Sequence, residues 1–379
     1  MNKQTIGWDV GGAHLKAALL DSNGNLLQVL QVPCALWRGL HELEAAIDIV
    51  LGSFALNSVA HAVTMTGELV DLFANRREGV LEISRVMQAK LNATLNSNVK
   101  FYTGNLHPDL SKNSAFTGFV EYEAVKDYWQ YIASANWQAS ASFVAKRLKA
   151  GLFIDVGSTT SDFVLFNDHQ PKCIGYTDAT RMQSEELVYT GVVRTPLMAV
   201  AQKIAFKQLT TSVAAEYFAT SADVYRLTGN LLAEDDMAET ADAQDKGTLA
   251  SARRIARMIG HDVEDAPITD WLALAGEFKF QQISRLQAIA LNHISRLSGD
   301  SHTQLIPLVG AGAGRFLVRQ MAKDLGFPYI DVADLIEFTA KNSEPESVSA
   351  LDKDLTIHRM ASVCLPAYAV AYLSYYLAS

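Results

Sequence analysis

Two aspartates in this chain stand in matching surroundings. Asp9 ends the apolar run TIGWDV and opens DVGGAHLK (9–16), while Asp155 ends LFIDV and opens DVGSTTSD (155–162). A carboxylate at a strand end can hold Mg2+ directly or through water. The glycines beside it, Gly11 and Gly12 in the first run and Gly157 in the second, let backbone amides approach an anion. Lys16 follows Asp9 by seven residues and would emerge toward the same turn. In the second run Asp155 and Asp162 frame Ser158, Thr159, Thr160 and Ser161, whose hydroxyls and amides can donate to phosphate oxygens. Either run alone is also what an ordinary hairpin turn contains. Their repetition in one chain is what favours a phosphate site with Asp9 and Asp155 as metal ligands, Gly11, Gly12, Lys16, Gly157, Ser158, Thr159 and Thr160 as its anion-binding set, and Asp155, Asp162 and Lys16 as the catalytic candidates.

A third element, LVGAGAG (308–314), joins a predicted strand to a predicted helix. It falls short of a dinucleotide fingerprint, which needs glycine where the chain has Arg315, and no phosphate-loop G-x-x-x-x-G-K-[ST] occurs anywhere. Gly310, Gly312 and Gly314 better suit a turn against which a flat group such as adenine can lie. Arg194, in TGVVRTP, has the planar fork that suits a carboxylate or phosphate, although a surface arginine looks the same. Arg253, Arg254 and Arg257 at helical spacing could face an anion, but a solvated helix face is the favoured reading. Glu239 and Asp242 beside Lys246 could bind a metal or an amine but read first as a polar loop, and His14 could be catalytic but reads first as a residue satisfying its own turn.

The elements that must carry these residues can be read from pattern. Residues 5–33 alternate as strand, strand, an Asn-Gly turn at 22–25, and strand. Helical patterns follow at 38–52 and 76–95 around the strand SVAHAVTM (58–65), so a sheet with helices against it is expected. IGWDVGGAHLKAALL and LFIDVGSTTSDFVLF align as two copies about 150 residues apart, which predicts two domains of related topology. The expected ranges are 1–150, completed by a C-terminal helix at 356–379, and 151–355 with an insertion near 210–262, within which 225–262 reads as an insertion or lid followed by a helix; 343–354 reads as a linker. A chain of 379 residues with 49% hydrophobic content can build two such cores. Its 41 acidic against 32 basic residues argue against a nucleic-acid partner. Three scattered cysteines argue against disulfides or structural zinc. The N-terminus has no apolar leader, so a cytoplasmic protein is expected. The uncharged run 361–379, rich in Ser and Tyr, reads as a buried terminal helix rather than a membrane anchor, with a possible part in self-association.

The order of the three glycine-bearing elements resembles the acetate and sugar kinase, heat-shock-70 and actin superfamily. Its phosphate-1 hairpin resembles DVGGAHLK, its phosphate-2 hairpin DVGSTTSD, its adenosine motif LVGAGAG, and VAHAVTMTGE (59–68) sits at its first connecting motif. The resemblance implies a two-domain α/β fold, actin-like and ribonuclease H-like, with a cleft between the domains. The second hairpin is most similar to the hydantoinase A/oxoprolinase branch. MTGELVDLFANRREGV (65–80), IDVGSTTSDFVLF (154–166), ELVYTGVVRTP (186–196) and the runs within 226–262 are similar to the condensing enzymes of methanofuran biosynthesis and to tetrahydromethanopterin-linked one-carbon proteins of methylotrophic bacteria. That similarity implies a small-molecule transferase joining γ-glutamyltyramine to an aminomethylfuran-methyl diphosphate, with Mg2+ as cofactor and pyrophosphate as product. The same residues would equally hold ATP. An ATP-dependent kinase or an oxoprolinase-like hydrolase is therefore the alternative, and a nucleotide-binding regulator without turnover the second.

Overall fold

The computed structural model describes residues 3–56, 58–92, 97–112, 116–297, 305–338 and 348–377. They divide into two compact units: residues 1–149 with 166–178 and 332–379, and residues 150–165 with 179–331.

In the first unit, β1 (Gln4–Val10), β2 (His14–Leu20), β3 (Leu26–Pro33), β4 (Val59–Met65), β5 (Asn98–Tyr102) and β6 (Phe119–Glu121) form one sheet in the order β3-β2-β1-β4-β5-β6. β1, β2 and β3 run antiparallel, and β4 and β5 add parallel to β1. The predicted turn between β2 and β3 is built by Asp21, whose Oδ1 accepts the amides of Asn23 at 2.8 Å and Asn25 at 2.9 Å. β1 is buried on both faces, as a central strand must be. One face is covered by the helix Leu365–Leu377, which passes so close to Gly7 that a Cβ there would meet the backbone of Ala367 and Ala371.

The second unit repeats the scheme with β7 (Ala150–Val156), β8 (Ser161–Asn167), β10 (Leu187–Val188), β13 (Leu308–Ala311) and β14 (Tyr329–Asp331), in the order β10-β8-β7-β13-β14. β9 (Gln170–Pro171) folds back antiparallel on the last residues of β8, and β11 (Lys203–Phe206) pairs with β12 (Leu209–Ser212) in a separate hairpin. β13 lies parallel to β7 as β4 does to β1, and β14 parallel to β13 as β5 does to β4. The two aspartate turns therefore occupy equivalent places in the two sheets. This is the two-domain α/β arrangement of the actin-like, ribonuclease H-like fold.

Three expectations need correction. Residues 166–178 and 332–338 pack with the first unit, because Asp178 is paired with Arg76, Glu337 with Arg147, and Phe338 bridges to Leu26. The stretch 210–262 is not a lid: the helices Ser221–Leu227 and Thr248–Arg257 carry Val224, Tyr225, Ile255 and Ala256 into the second core. Of the expected linker, 343–347 lie outside the described residues and 348–354 begin the helix Val348–Val363. The uncharged C-terminal run is split between that helix and Leu365–Leu377 and is largely buried; among the described residues no helix is long and apolar enough to cross a membrane.

Candidate active site

In the first unit Asp9 and Lys16 are direct cross-strand partners, with Lys16 Nζ 3.8 Å from Asp9 Oδ2. Asp9 is 3% exposed, and its Oδ1 has no hydrogen-bond partner among the described residues. Burial pushes its pKa up, and Lys16 and Asn136 offset this only in part. Thr64 lies opposite Asp9 on β4, and its buried hydroxyl also has no partner. A buried carboxylate oxygen left open beside a lysine suits a cation or a hydrogen-bond donor that arrives with a ligand. The Gly11 amide closes its own turn by donating to His14 O at 3.0 Å, whereas the Gly12 amide makes no such bond.

The second unit gathers more of the predicted set. The Gly157 amide donates to Thr160 O at 2.8 Å, tying a turn whose tip is Ser158 and Thr159. The segment 190–194 braces this turn from behind. Val192 donates to Gly157 O at 3.0 Å, and Val193 and Arg194 donate to Ser158 O at 3.0 and 2.8 Å. Arg194 Nε also donates to Thr159 Oγ1 at 2.7 Å, so the exposed guanidinium is fixed at the turn with its terminal amino groups unused by protein among the described residues. Gln282 anchors the brace from the helix Ile268–Ser295. Its amide donates to Thr190 Oγ1 and Gly191 O, and its carbonyl accepts from Tyr225.

Three predicted groups have close protein partners. Asp162 accepts from Arg181 Nη1 at 2.9 Å, and Arg181 is 1% exposed, so the carboxylate neutralises a buried cation. The glycines of 310–314 are closely packed. A Cβ on Gly312, which has φ +80°, would meet Asp155 Oδ1 and Val156 O; one on Gly314 would meet Val156 and Val192, and one on Gly310 would meet Tyr329. They bring the loop against the end of β7, beside the Asp155 carboxylate. Arg254, the middle of the three helical arginines, is fully buried and paired with Asp223 and Asp242, which also accounts for Asp242. Among the described residues no group of three or more His, Cys, Asp or Glu is assembled for a metal ion.

Sequence reasoning passed over a further cluster in the first unit. Glu68, Ser134, Asp178 and Arg76 come together through hydrogen bonds of 2.6 to 3.4 Å. The one sequence signal was the Thr66-Gly67-Glu68 end of the connecting motif.

Residues 60–340 match the hydantoinase/oxoprolinase family, and the chain belongs to it. A protein of Methanocaldococcus jannaschii named (4-{4-[2-(gamma-L-glutamylamino)ethyl]phenoxymethyl}furan-2-yl)methanamine synthase is 29% identical over 265 residues, which are 70% of this chain and 74% of that one. A protein of the same name from Methanococcus vannielii is 28% identical over 173 residues, 45% of this chain and 76% of its own. Among solved structures, nucleotide-free acetone carboxylase aligns with a TM-score of 0.49 and 12% identity, covering 86% of this chain and 68% of that one.

Proposed function

We propose that the protein is a transferase of methanofuran-type C1-carrier biosynthesis, feeding tetrahydromethanopterin-linked one-carbon transfer. It condenses a γ-glutamyltyramine-like phenol with an aminomethylfuran-methyl diphosphate and releases pyrophosphate. The observation that carries this reading is the 29% identity, over 70% of the chain, to a synthase whose named product contains a phenoxymethyl-furan linkage. Forming that linkage joins a phenol oxygen to a furan CH2 carbon. The bond from that carbon to the diphosphate oxygen breaks, its electrons leave with pyrophosphate, and the phenol proton passes to a base.

The residues fit these tasks. The Gly12 amide and Lys16 in the first unit, and the Ser158, Thr159 and Thr160 turn with Arg194 in the second, are each suited to phosphate oxygens. Asp9, with its open buried oxygen, and Asp155, at the equivalent strand end, are each suited to Mg2+. When bound, Mg2+ would neutralise charge building on the departing diphosphate. Asp162 holds Arg181 and pairs along its backbone with Leu187 of β10.

The test is product mass. Protein, Mg2+ and both substrates should yield the ether and one pyrophosphate per ether formed. Thermal unfolding should shift upward with pyrophosphate and Mg2+. A large shift with ATP and none with pyrophosphate, or ATP hydrolysis that the phenol stimulates, would replace this reading with the kinase or hydrolase one. Binding of ATP with no turnover of any substrate would replace it with the regulatory one.

A further inference from the structure

Glu68 lies on the short helical turn Gly67–Leu69 that follows β4. Val10 pairs with Met65, and Thr66 donates its amide to Val10 O at 2.9 Å, so Glu68 rises from the same sheet edge as the Asp9 turn, within one unit. The side chain is 2% exposed. Oε1 accepts from Ser134 Oγ at 2.8 Å, while Oε2, equally buried, has no partner among the described residues. A buried acceptor left open is costly, and a core position would ordinarily be filled by an apolar residue of the same size.

The surroundings hold this carboxyl rather than satisfy it. In the helix Arg76–Asn92, Gly79 approaches so closely that a Cβ there would meet Glu68 Cα, Cβ and O. Ser134 adopts a φ of +51°, unusual for a non-glycine residue, where its hydroxyl reaches Oε1. Arg76, the cation acting on Glu68, is turned to Asp178 Oδ2 at 2.6 Å, and the Ser134 hydroxyl also lies 3.4 Å from that oxygen. Among the described residues, the charged groups acting on Glu68 are thus Arg76 and Asp178, which act in opposite directions.

We propose that Glu68 is the general base of the ether-forming step, its open Oε2 taking the phenol proton as the phenol oxygen attacks. This rests on the aryl-ether reading above. The proton moves from phenol oxygen to carboxylate, the oxygen–carbon bond forms, the carbon–diphosphate bond breaks with its electron pair going to pyrophosphate, and Glu68 returns the proton to solvent after release. Burial raises the Glu68 pKa to about 7, with Ser134 and Arg76 opposing and Asp178 adding to the rise. A base that titrates near the operating pH is the efficient choice for this transfer.

The experiment compares wild type, Glu68→Gln and Ser134→Ala from pH 5.5 to 9 at saturating substrates, with folding checked by thermal unfolding. Glu68→Gln should lower kcat by ~100-fold or more, leave KM within about threefold, and abolish the rise of kcat through neutral pH. Ser134→Ala removes a donor to the carboxylate and should move that rise to higher pH, which a merely structural serine would not do. If Glu68→Gln keeps kcat while KM rises, Glu68 binds a substrate group such as an ammonium, and the proposal falls. A neutral-pH limb that persists in Glu68→Gln also overturns it. Should Glu68→Gln fail to fold, an unmoved limb in Ser134→Ala overturns it instead. Ether formation by wild type separates the two levels: if wild type makes ether and Glu68→Gln matches it, only the base assignment fails. If wild type makes none, the reaction itself is wrong and the assignment goes with it.

Discussion

Trp8 donates its indole N–H to Nδ1 of His61 at 3.1 Å, joining β1 to β4 inside the first core. The indole is a donor only, so His61 must accept there and stay neutral. Burial accordingly lowers its pKa to about 4. With the folded pKa below the unfolded value of about 6.5, the unfolded chain binds more protons between these limits. Stability is therefore lost as pH falls from about 6.5 to 4, by about 3 kcal/mol in total. His61→Gln, which keeps an acceptor for Trp8, removes this dependence. Urea unfolding should show the wild-type advantage over His61→Gln shrinking by about that amount from pH 7 to 4; a constant difference would contradict the buried neutral ring.

Glu68 acts with the opposite sign. Its folded pKa of about 7 lies above the unfolded carboxyl value, so the folded state keeps its proton longer and stability declines as pH rises from about 4.5 to 7. Glu68→Gln should gain on wild type over that range by about 3 kcal/mol. Because the His61 and Glu68 slopes nearly cancel between pH 4.5 and 6.5, removing Glu68 should also expose the acid sensitivity due to His61. Denaturant midpoints of the two single variants and the double variant at pH 5 and 7 measure both effects.

Gly7 tests the seat of the C-terminal helix. Gly7→Ala places a Cβ against the backbone of Ala367 and Ala371, which cannot swing aside as a flexible side chain would. A loss of about 1–3 kcal/mol is expected. Gly52 is the control: it lies exposed in the helix Leu40–Ser53 with nothing near its Cβ position, and Gly52→Ala should raise stability by up to ~1 kcal/mol. Equal effects of the two substitutions would show that the helix does not rest on β1 as described.

What could be read in the sequence was local. Asp9 and Asp155 could be found because strand, glycine turn and strand are contiguous, and the Asp21 turn because Asn23, Gly24 and Asn25 follow it directly. The missed features depend on partners far along the chain. Arg254 looks solvated until Asp223, 31 residues earlier, is brought to 2.8 Å. Asp162 looks like a free catalytic carboxylate until Arg181 reaches it. The open Oε2 of Glu68 depends on Gly79, Ser134 and Asp178 arriving from three other segments. Residues 166–178 and 332–338 return to the first unit through pairings with distant segments that no local pattern announces.

Asp9→Asn should separate stability from function. Among the described residues the buried carboxylate has one oxygen without a partner, and burial opposes its charge. Removing that charge should leave thermal stability unchanged or higher, since Lys16 can turn its partly exposed ammonium to solvent. Ether formation should fall by on the order of 100-fold. A variant that is both less stable and fully active would mark Asp9 as structural.

Arg194 offers the cleanest probe of the second turn. Its Nε is held by Thr159 Oγ1 at 2.7 Å, and the side chain is otherwise exposed. Arg194→Ala should therefore change stability by no more than about 0.5 kcal/mol. If the terminal amino groups meet a diphosphate, losing a charge-assisted bond should weaken pyrophosphate binding in the presence of Mg2+ by roughly tenfold, equivalent to about 1.4 kcal/mol. Arg194→Lys keeps the charge but not the fork that grips Thr159 and ligand together, so it should recover only part of the loss. Calorimetric titration with pyrophosphate at low and high salt reads both effects. Binding that is identical in all three proteins would remove Arg194 from the anion site and leave the Ser158 and Thr159 tip to act alone.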